Sequence, residues 1–284
     1  MTDLAIVRSI SDLRTAVAQW RKAGLRVGLV PTMGALHEGH LSLVRLAKTR
    51  ADRCVASLFV NPKQFAAHED LGRYPRDEAG DAAMLQSAGC DLLFAPSLSA
   101  IYPPGFSTSV TVEGVSAPIE GVIRPHFFGG VATVVAKLLL QCLPDAAVFG
   151  EKDYQQLLVV RKLTADLDIP VEILAGPTMR EADGTAMSSR NAYLTPDQRR
   201  IAGALNGLLF DTADALAAGA PVAPTLKKLR DALLAAGFDT VEYAALCDAH
   251  TLAAIETLTG ESRLLAAVTL GPTRLIDNVA VAPP

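Results

Sequence analysis

Long apolar runs are missing from this chain: no stretch is apolar for long enough to cross a bilayer. Its start, MTDLAIVRSISDL, is mixed and polar, with no charged head followed by an apolar core of the kind that marks a secretory leader. Basic excess is missing too. The 26 Lys and Arg stand against 30 Asp and Glu, a net charge of -4, which gives no support for a nucleic-acid surface. Cysteine is scarce and scattered: Cys54, Cys90, Cys142 and Cys247 form no CxxC pair and read as buried apolar residues in a reducing compartment. A soluble, cytoplasmic protein with no nucleic-acid or membrane partner is the expectation.

What is present is enough to build a real core. Half of the 284 residues are hydrophobic and a fifth are charged, a length and balance suited to one large domain or two ordinary ones. Over the first ~180 residues, short apolar runs alternate with segments of helical period, the signature of an α/β domain with a parallel sheet. Strands are predicted at Leu25–Val30, Cys54–Phe59, Leu92–Ala95, Ala147–Phe149 and Val171–Leu174. Helices are predicted near Ser11–Ala23, Leu41–Arg50, Asp77–Ala88, Val131–Cys142 and Tyr154–Leu167. Pro103–Arg124, with its alternating STSVTVEGV, reads as a strand or hairpin insertion. After about residue 178 the texture changes. Thr195-Pro196-Asp197-Gln198 has the N-cap, Pro at N1 and Gln at N3 of a helix start, and a long helix should follow to about Ala218. A second helix at Thr225–Ala236 and strand-length runs at 241–247, 264–270 and 275–281 complete a smaller α+β unit. The division expected is 1–178 and 179–284.

Four polar constellations stand at predicted strand ends. In the first, VGLVPTMGALHEGHLSLVRLAK, two of the five histidines lie three residues apart between a strand and a helix. Gly34 and Gly39 have P-loop spacing, but His40-Leu41 replaces the Lys-Ser/Thr pair, so a Walker A reading fails. An H-E-x-x-H metalloprotease site fails as well, because it needs histidines four apart on one helical face. The spacing instead puts His37 and His40 together at a helix N-terminus, where free N–H groups and the dipole favour an anion. Imidazolium there would lie against a phosphate. The bland alternative is that one or both rings simply cap or pack the turn. VPTMGALHEGH resembles the HxGH signature of the nucleotidyltransferase α/β-phosphodiesterase superfamily, whose members bind ATP in a Rossmann-like domain and attack its α-phosphate.

In the second, SLFVNPKQF, Pro62 forces Asn61 into extended or turn geometry and leaves Asn61 and Gln64 at a strand's carboxyl end, the edge where open α/β sheets bind ligands. In the third, AAVFGEKDYQQLLVVRKL, a strand reaches Gly150, Lys152 can neutralise phosphate oxygens, and Asp153 can cap a helix that carries Gln156 towards the same cleft. Gln155 reads as structural. In the fourth, PTMREADGTAMSSRNAYL, two hydroxyls precede Arg190, a grip suited to di- or triphosphate oxygens on a loop that can close over a nucleotide.

As an ordered set, PTMGALHEGH, FVNPKQF, FGEKDYQQL and MSSRNAYL closely resemble the pantoate–β-alanine ligase (pantothenate synthetase) family, and the match extends through GGVATVVAKL and YPRD. The resemblance implies a Rossmann-like N-terminal domain with a smaller α+β lid domain, and a homodimer. It also implies ATP-dependent joining of pantoate to β-alanine through a pantoyl adenylate, with Mg²⁺. By motif position it implies catalytic His40, His37 and Lys152. ATP would meet Met33, Gly34, His37, Gly39, His40, Gly150, Lys152, Asp153, Met179, Met187, Ser188, Ser189 and Arg190. Pantoate and β-alanine would meet Gln64, Gln156 and Asn61, with Val134 and Val135 as an apolar wall. No magnesium ligand is read from the sequence beyond Asp81 as a candidate. One departure stands out: where the family commonly reads GHFRGV, this chain has HFFGGV at 126–131, with Phe127 at the usual His position and Gly129 at the usual Arg position, so His126 is assigned no catalytic role. The rival readings are another HxGH nucleotidyltransferase acting on a phosphorylated acceptor, and a nucleotide-binding regulatory module without turnover.

Overall fold

The computed structural model describes residues 4–66 and 69–283. Six strands, β1 (Ala5–Val7), β2 (Val27–Thr32), β3 (Arg53–Leu58), β4 (Leu92–Phe94), β5 (Ala146–Gly150) and β6 (Glu172–Gly176), form one sheet in the order β1-β4-β3-β2-β5-β6. Every pair in it is parallel. Helices α1 (Ile10–Lys22), α2 (Glu38–Lys48), α3 (Glu78–Ser87), the single turns α4 (Leu98–Ile101) and α5 (Glu120–Ile123), α6 (Phe127–Cys142) and α7 (Tyr154–Asp166) connect the strands.

A parallel sheet must be covered on both faces, and the sequence alternation sorts its residues accordingly. Leu29, Val55, Phe94, Ala147 and Phe149 pack with Leu13 and Val17 of α1, Val131 and Val135 of α6, and Leu157 and Val160 of α7. Their neighbours Val30, Ala56, Leu93 and Val148 pack on the other side with Val44 of α2 and Leu85 of α3. This is the Rossmann-like arrangement expected.

The pairing leaves a crevice at one place. β2 follows β3 through six register pairs to Thr32↔Leu58, and β5 follows β6 to Gly150↔Gly176. Between β2 and β5, however, pairing stops after Gly28↔Ala146 and Leu29↔Ala147. The chain also reverses its direction of travel across the sheet here, stepping from β2 to β3 on one side and returning to β5 on the other. Open α/β sheets bind ligands at such a switch point, outside the carboxyl ends of the strands.

A second sheet is antiparallel, β7 (Thr240–Asp248), β8 (Ser262–Leu270) and β9 (Thr273–Val281). It packs against α8 (Pro196–Ala217) and α9 (Val222–Ala235) around Leu205, Leu209, Leu229, Leu233, Val268 and Val279. α8 begins as expected: Thr195 Oγ1 accepts from the Gln198 N–H at 3.3 Å and Gln198 Oε1 accepts from the Thr195 N–H at 3.0 Å.

Two expectations need correction. Residues 103–118 form no strand. The alternating segment buries Val112 in the core and leaves Ser107, Thr108, Ser109, Thr111 and Glu113 exposed, while the Val110 N–H donates to Thr133 Oγ1 on α6 instead of to a neighbouring strand. β1 was not foreseen, because a three-residue edge strand with two exposed positions carries no alternation to read.

Gly130 on α6 shows how tightly the site is assembled. A Cβ there would lie 2.3 Å from the Lys63 carbonyl oxygen and 2.7 Å from the Gln64 nitrogen, both backbone atoms. Gly130→Ala is therefore expected to cost about 1–3 kcal/mol of stability through overpacking and to displace the Gln64 turn. Urea unfolding of the purified variant reads this; an unchanged midpoint and unchanged activity would contradict the packing described.

Candidate active site

A cavity of about 730 Å³ opens at the β2/β5 crevice and is walled by loops of the parallel sheet together with β8 and β9 of the second sheet. β2 delivers Met33 to its rim. The chain then turns sharply, with Gly34 at φ +87° and Ala35 at φ +50°, and enters α2 through an extended His37. Asp81 staples this turn: its carboxylate accepts the Ala35 N–H at 3.0 Å and the Leu36 N–H at 2.8 Å.

His37 and His40 lie against each other at the N-terminus of α2, with ring centroids 4.1 Å apart and planes tilted by 44°. The His37 N–H donates to Nδ1 of His40 at 3.3 Å, so the neutral His40 ring carries its proton on Nε2. Nδ1 of His37 is buried without a partner among the described residues. Gly39 makes this pairing possible, since a Cβ there would stand 2.9 Å from the His37 ring. Burial lowers the His37 pKa to about 4, with Lys152 adding to the effect. Burial, then His37 and Lys152, lowers that of His40 to about 3. The sequence suggested imidazolium, but this site holds two neutral imidazoles at pH 7. They donate through N–H groups and leave the cationic role to others.

β3 delivers the second group. Asn61 is 1% exposed and fully engaged. Its amide nitrogen donates to Gln64 Oε1 (2.9 Å) and to the Gly130 carbonyl (3.1 Å), while its oxygen accepts from the Tyr102 hydroxyl (2.8 Å). Asn61 is thus a bracket for Gln64, whose amide nitrogen rests on Met33 sulfur at 3.1 Å. Val134 and Val135 of α6 close the wall behind.

β5 ends at Gly150, and a single 3-10 turn, Glu151–Asp153, carries Lys152 and Asp153 to the cavity before α7 begins. Gln156, in the first turn of α7, also lines it, and its side-chain amide makes no hydrogen bond among the described residues. Gln155 borders the cavity too, but its amide is spent on structure, donating to the carbonyls of Val115 and Pro118 and accepting from the Glu120 N–H.

The loop after β6 completes the ring. Met179 and Met187 pair through a backbone hydrogen bond of 2.9 Å. Ser188 Oγ accepts from the Arg190 N–H, and Ser189 Oγ donates to the Ala35 carbonyl at 2.8 Å, tying this loop to the histidine turn. Arg190 is held fork to fork by Asp70, at 2.9 and 3.0 Å. Two other cavity guanidiniums are similarly committed, Arg124 to Glu69 and Glu120, and Arg274 to Glu120 and Glu242. Lys152 is not: among the described residues it has only a 3.7 Å approach to Asp153.

The family model for pantoate-beta-alanine ligase matches residues 5–280. The chain belongs to the pantoate-beta-alanine ligase family. It is 58% identical to the pantothenate synthetase of Paramagnetospirillum magneticum, over 99% of each chain. It is 56% identical to that of Caulobacter vibrioides, over 99% of this chain and all of the other. The pantothenate synthetase of Thermus thermophilus superposes with a TM-score of 0.93 at 46% identity, over 99% of this chain and 100% of that one. A pantoate-beta-alanine ligase from Francisella tularensis, solved with beta-gamma ATP and beta-alanine, superposes with a TM-score of 0.83 at 32% identity, over 97% of each.

Within this ligase fold, two residues singled out from the sequence do not line the cavity. Gly34 serves the turn, where its positive φ suits glycine, and Asp81 is a buried brace with both oxygens occupied by backbone N–H groups. Asp81 is therefore corrected from magnesium candidate to structural staple. The other residues singled out meet at the cavity. In the departing HFFGGV segment, Phe127 forms part of the wall and stacks under the Arg124 guanidinium at 3.9 Å, while His126 is exposed. Sequence reasoning missed Asp70, Tyr102, Glu120, Arg124, Arg274 and Asn278. Arg124 sits between two motifs and Asp70 lies just before YPRD, but nothing in their spacing signals an ion pair.

The buried histidines make acid stability testable. An unfolded chain protonates both below pH 6.5, while the native chain does not until about 4 for His37 and about 3 for His40. Their contribution is fully present above 6.5 and is lost as pH falls, by roughly 1.4 kcal/mol per pH unit for each. In urea unfolding between pH 6.5 and 5, His40→Gln should lose about 2 kcal/mol less than the parent protein. Equal losses would mean that His40 is not held neutral.

Proposed function

We propose that this chain condenses pantoate with β-alanine, driven by ATP, through a pantoyl-adenylate intermediate. The observation that carries the reading is the convergence of the neutral histidine pair at the α2 N-terminus with the lightly paired Lys152 on one crevice. The Francisella tularensis relative with beta-gamma ATP and beta-alanine supports ATP and β-alanine as substrates.

In the first step a pantoate carboxylate oxygen attacks the α-phosphorus, and the bond from that phosphorus to the β-phosphate's bridging oxygen breaks to release pyrophosphate. Such a displacement needs positioning and charge neutralisation more than a covalent protein group. Met33, Gly39, Gly150, Met179 and Met187 would border the nucleotide. His37 and His40 would donate N–H groups along the phosphates, with Lys152, Ser188, Ser189 and Arg190 at their oxygens; Arg190 would exchange part of its Asp70 contact for phosphate. Gln64 and Gln156, neutral amides, would hold pantoate between Asn61 and the Val134–Val135 wall. An arginine fork there would stabilise the carboxylate that must act as nucleophile. In the second step the β-alanine amine attacks the acyl carbon, the C–O bond to AMP breaks, and the amine's proton is lost.

Among the described residues no group of three His, Cys, Asp or Glu forms a metal site by itself. Mg²⁺ would enter with the phosphates, with Asp153, a carboxylate lining the cavity, available to hold it, and would neutralise charge developing on the leaving pyrophosphate. Residues 179–284 would act as the closing domain of a homodimeric cytoplasmic enzyme.

The purified protein should form AMP only with ATP, pantoate and β-alanine all present. AMP transfer to a phosphorylated acceptor instead would favour the rival nucleotidyltransferase reading. Removing one transition-state contact commonly costs a factor of about 10²–10³ in turnover, so His40→Ala and Lys152→Ala should each lose at least that while remaining folded. Near-normal turnover in either would remove it from the mechanism.

A further inference from the structure

Lys152 has a positional problem. It projects from one 3-10 turn, and four rotatable side-chain bonds on a loosely held backbone would spread its charge over several ångströms. The carbonyls of such a turn also need donors when removed from water. Both needs are met from 126 residues away. The side-chain amide of Asn278, on β9, donates to the Glu151 carbonyl at 3.1 Å and to the Lys152 carbonyl at 2.9 Å. Asn278 is 3% exposed, and its oxygen accepts from Arg263 Nε at 2.6 Å, which fixes which way the amide faces. Arg263 in turn stacks on Tyr154, the first residue of α7, at 4.2 Å and reaches Glu151 at 3.4 Å.

We infer that Asn278 is a positioning residue for Lys152, and that the second sheet holds the cation of the first in register with the phosphates. The inference rests on the reading of Lys152 as a phosphate contact. Asparagine suits the place because two carbonyls need a double donor while a guanidinium needs an acceptor; aspartate would set an oxygen against two carbonyl oxygens.

The test is a double-mutant cycle in the full-length protein, with turnover measured at saturating ATP, pantoate and β-alanine. Misplacing a reacting or neutralising group by about an ångström can cost on the order of 10²-fold. Asn278→Ala should therefore lower kcat by about 10–100-fold when Lys152 is present. It should lower kcat less than twofold when Lys152 is already alanine, because the two then act through one group. A merely structural role would give the same factor in both backgrounds, and that result overturns the inference, as does unchanged kcat in Asn278→Ala. If Asn278→Ala does not fold, Arg263→Lys frees the amide more gently and should give the same background dependence; equal factors there also overturn it. Near-normal turnover of Lys152→Ala alone would instead overturn the role of Lys152 itself.

Discussion

The incomplete pairing of β2 with β5 is the constraint on which the rest depends. Two register pairs hold these strands at their amino ends, and beyond them β2 keeps company with β3 while β5 keeps company with β6. Because all four are parallel, the loops that leave them emerge at one edge. The histidine turn, the Asn61–Gln64 turn, the Lys152 turn and the 177–190 loop, separated in sequence by as much as the 154 residues between Ala35 and Ser189, become neighbours for that reason. Antiparallel pairing anywhere in this set would send one of them to the opposite edge.

Charge is then distributed sparingly. Buried or half-buried ions are costly unless paired, and breaking a buried pair typically costs about 3–5 kcal/mol. Arg190, Arg124 and Arg274 are each matched by carboxylates, and Glu120 collects Arg124, Arg274 and the Tyr243 hydroxyl while only 6% exposed. These contacts tie α5 and β9 together, so the second sheet is fastened to the first through the cavity wall itself. Among the described residues, two neutral imidazoles, a lightly paired Lys152 and Arg73, which lies over the Tyr193 ring, remain for the anion. That division lets a chain of net negative charge present a phosphate site without a large uncompensated positive patch.

Much of this was legible in the sequence, for physical reasons that also mark where legibility ends. The helical and strand periods of the first 180 residues reflect burial on two faces of a parallel sheet, and the Thr195 cap reflects local hydrogen bonding, so both could be read locally. The four motifs were visible because turn chemistry and polar tips concentrate at strand ends. Asn61 was visible as a polar tip, but not its engagement as a bracket, which needs Tyr102 and Gly130 from elsewhere. The pKa values of His37 and His40 were illegible, since burial depends on the whole cavity. Asp81 misled because a carboxylate near a nucleotide motif looks like a metal ligand, whereas two backbone N–H groups had already claimed it. Asn278 lay in a stretch with no motif at all, and its meaning exists only through a contact between sheets.

The central claim is that the histidine turn and Lys152 serve transfer at the α-phosphorus to a carboxylate. The most direct measurement is exchange of labelled pyrophosphate into ATP, with Mg²⁺ and pantoate present and β-alanine absent. A reversible adenylate step predicts exchange that depends on pantoate and disappears without it. No exchange, together with no AMP when β-alanine is added, would contradict the account.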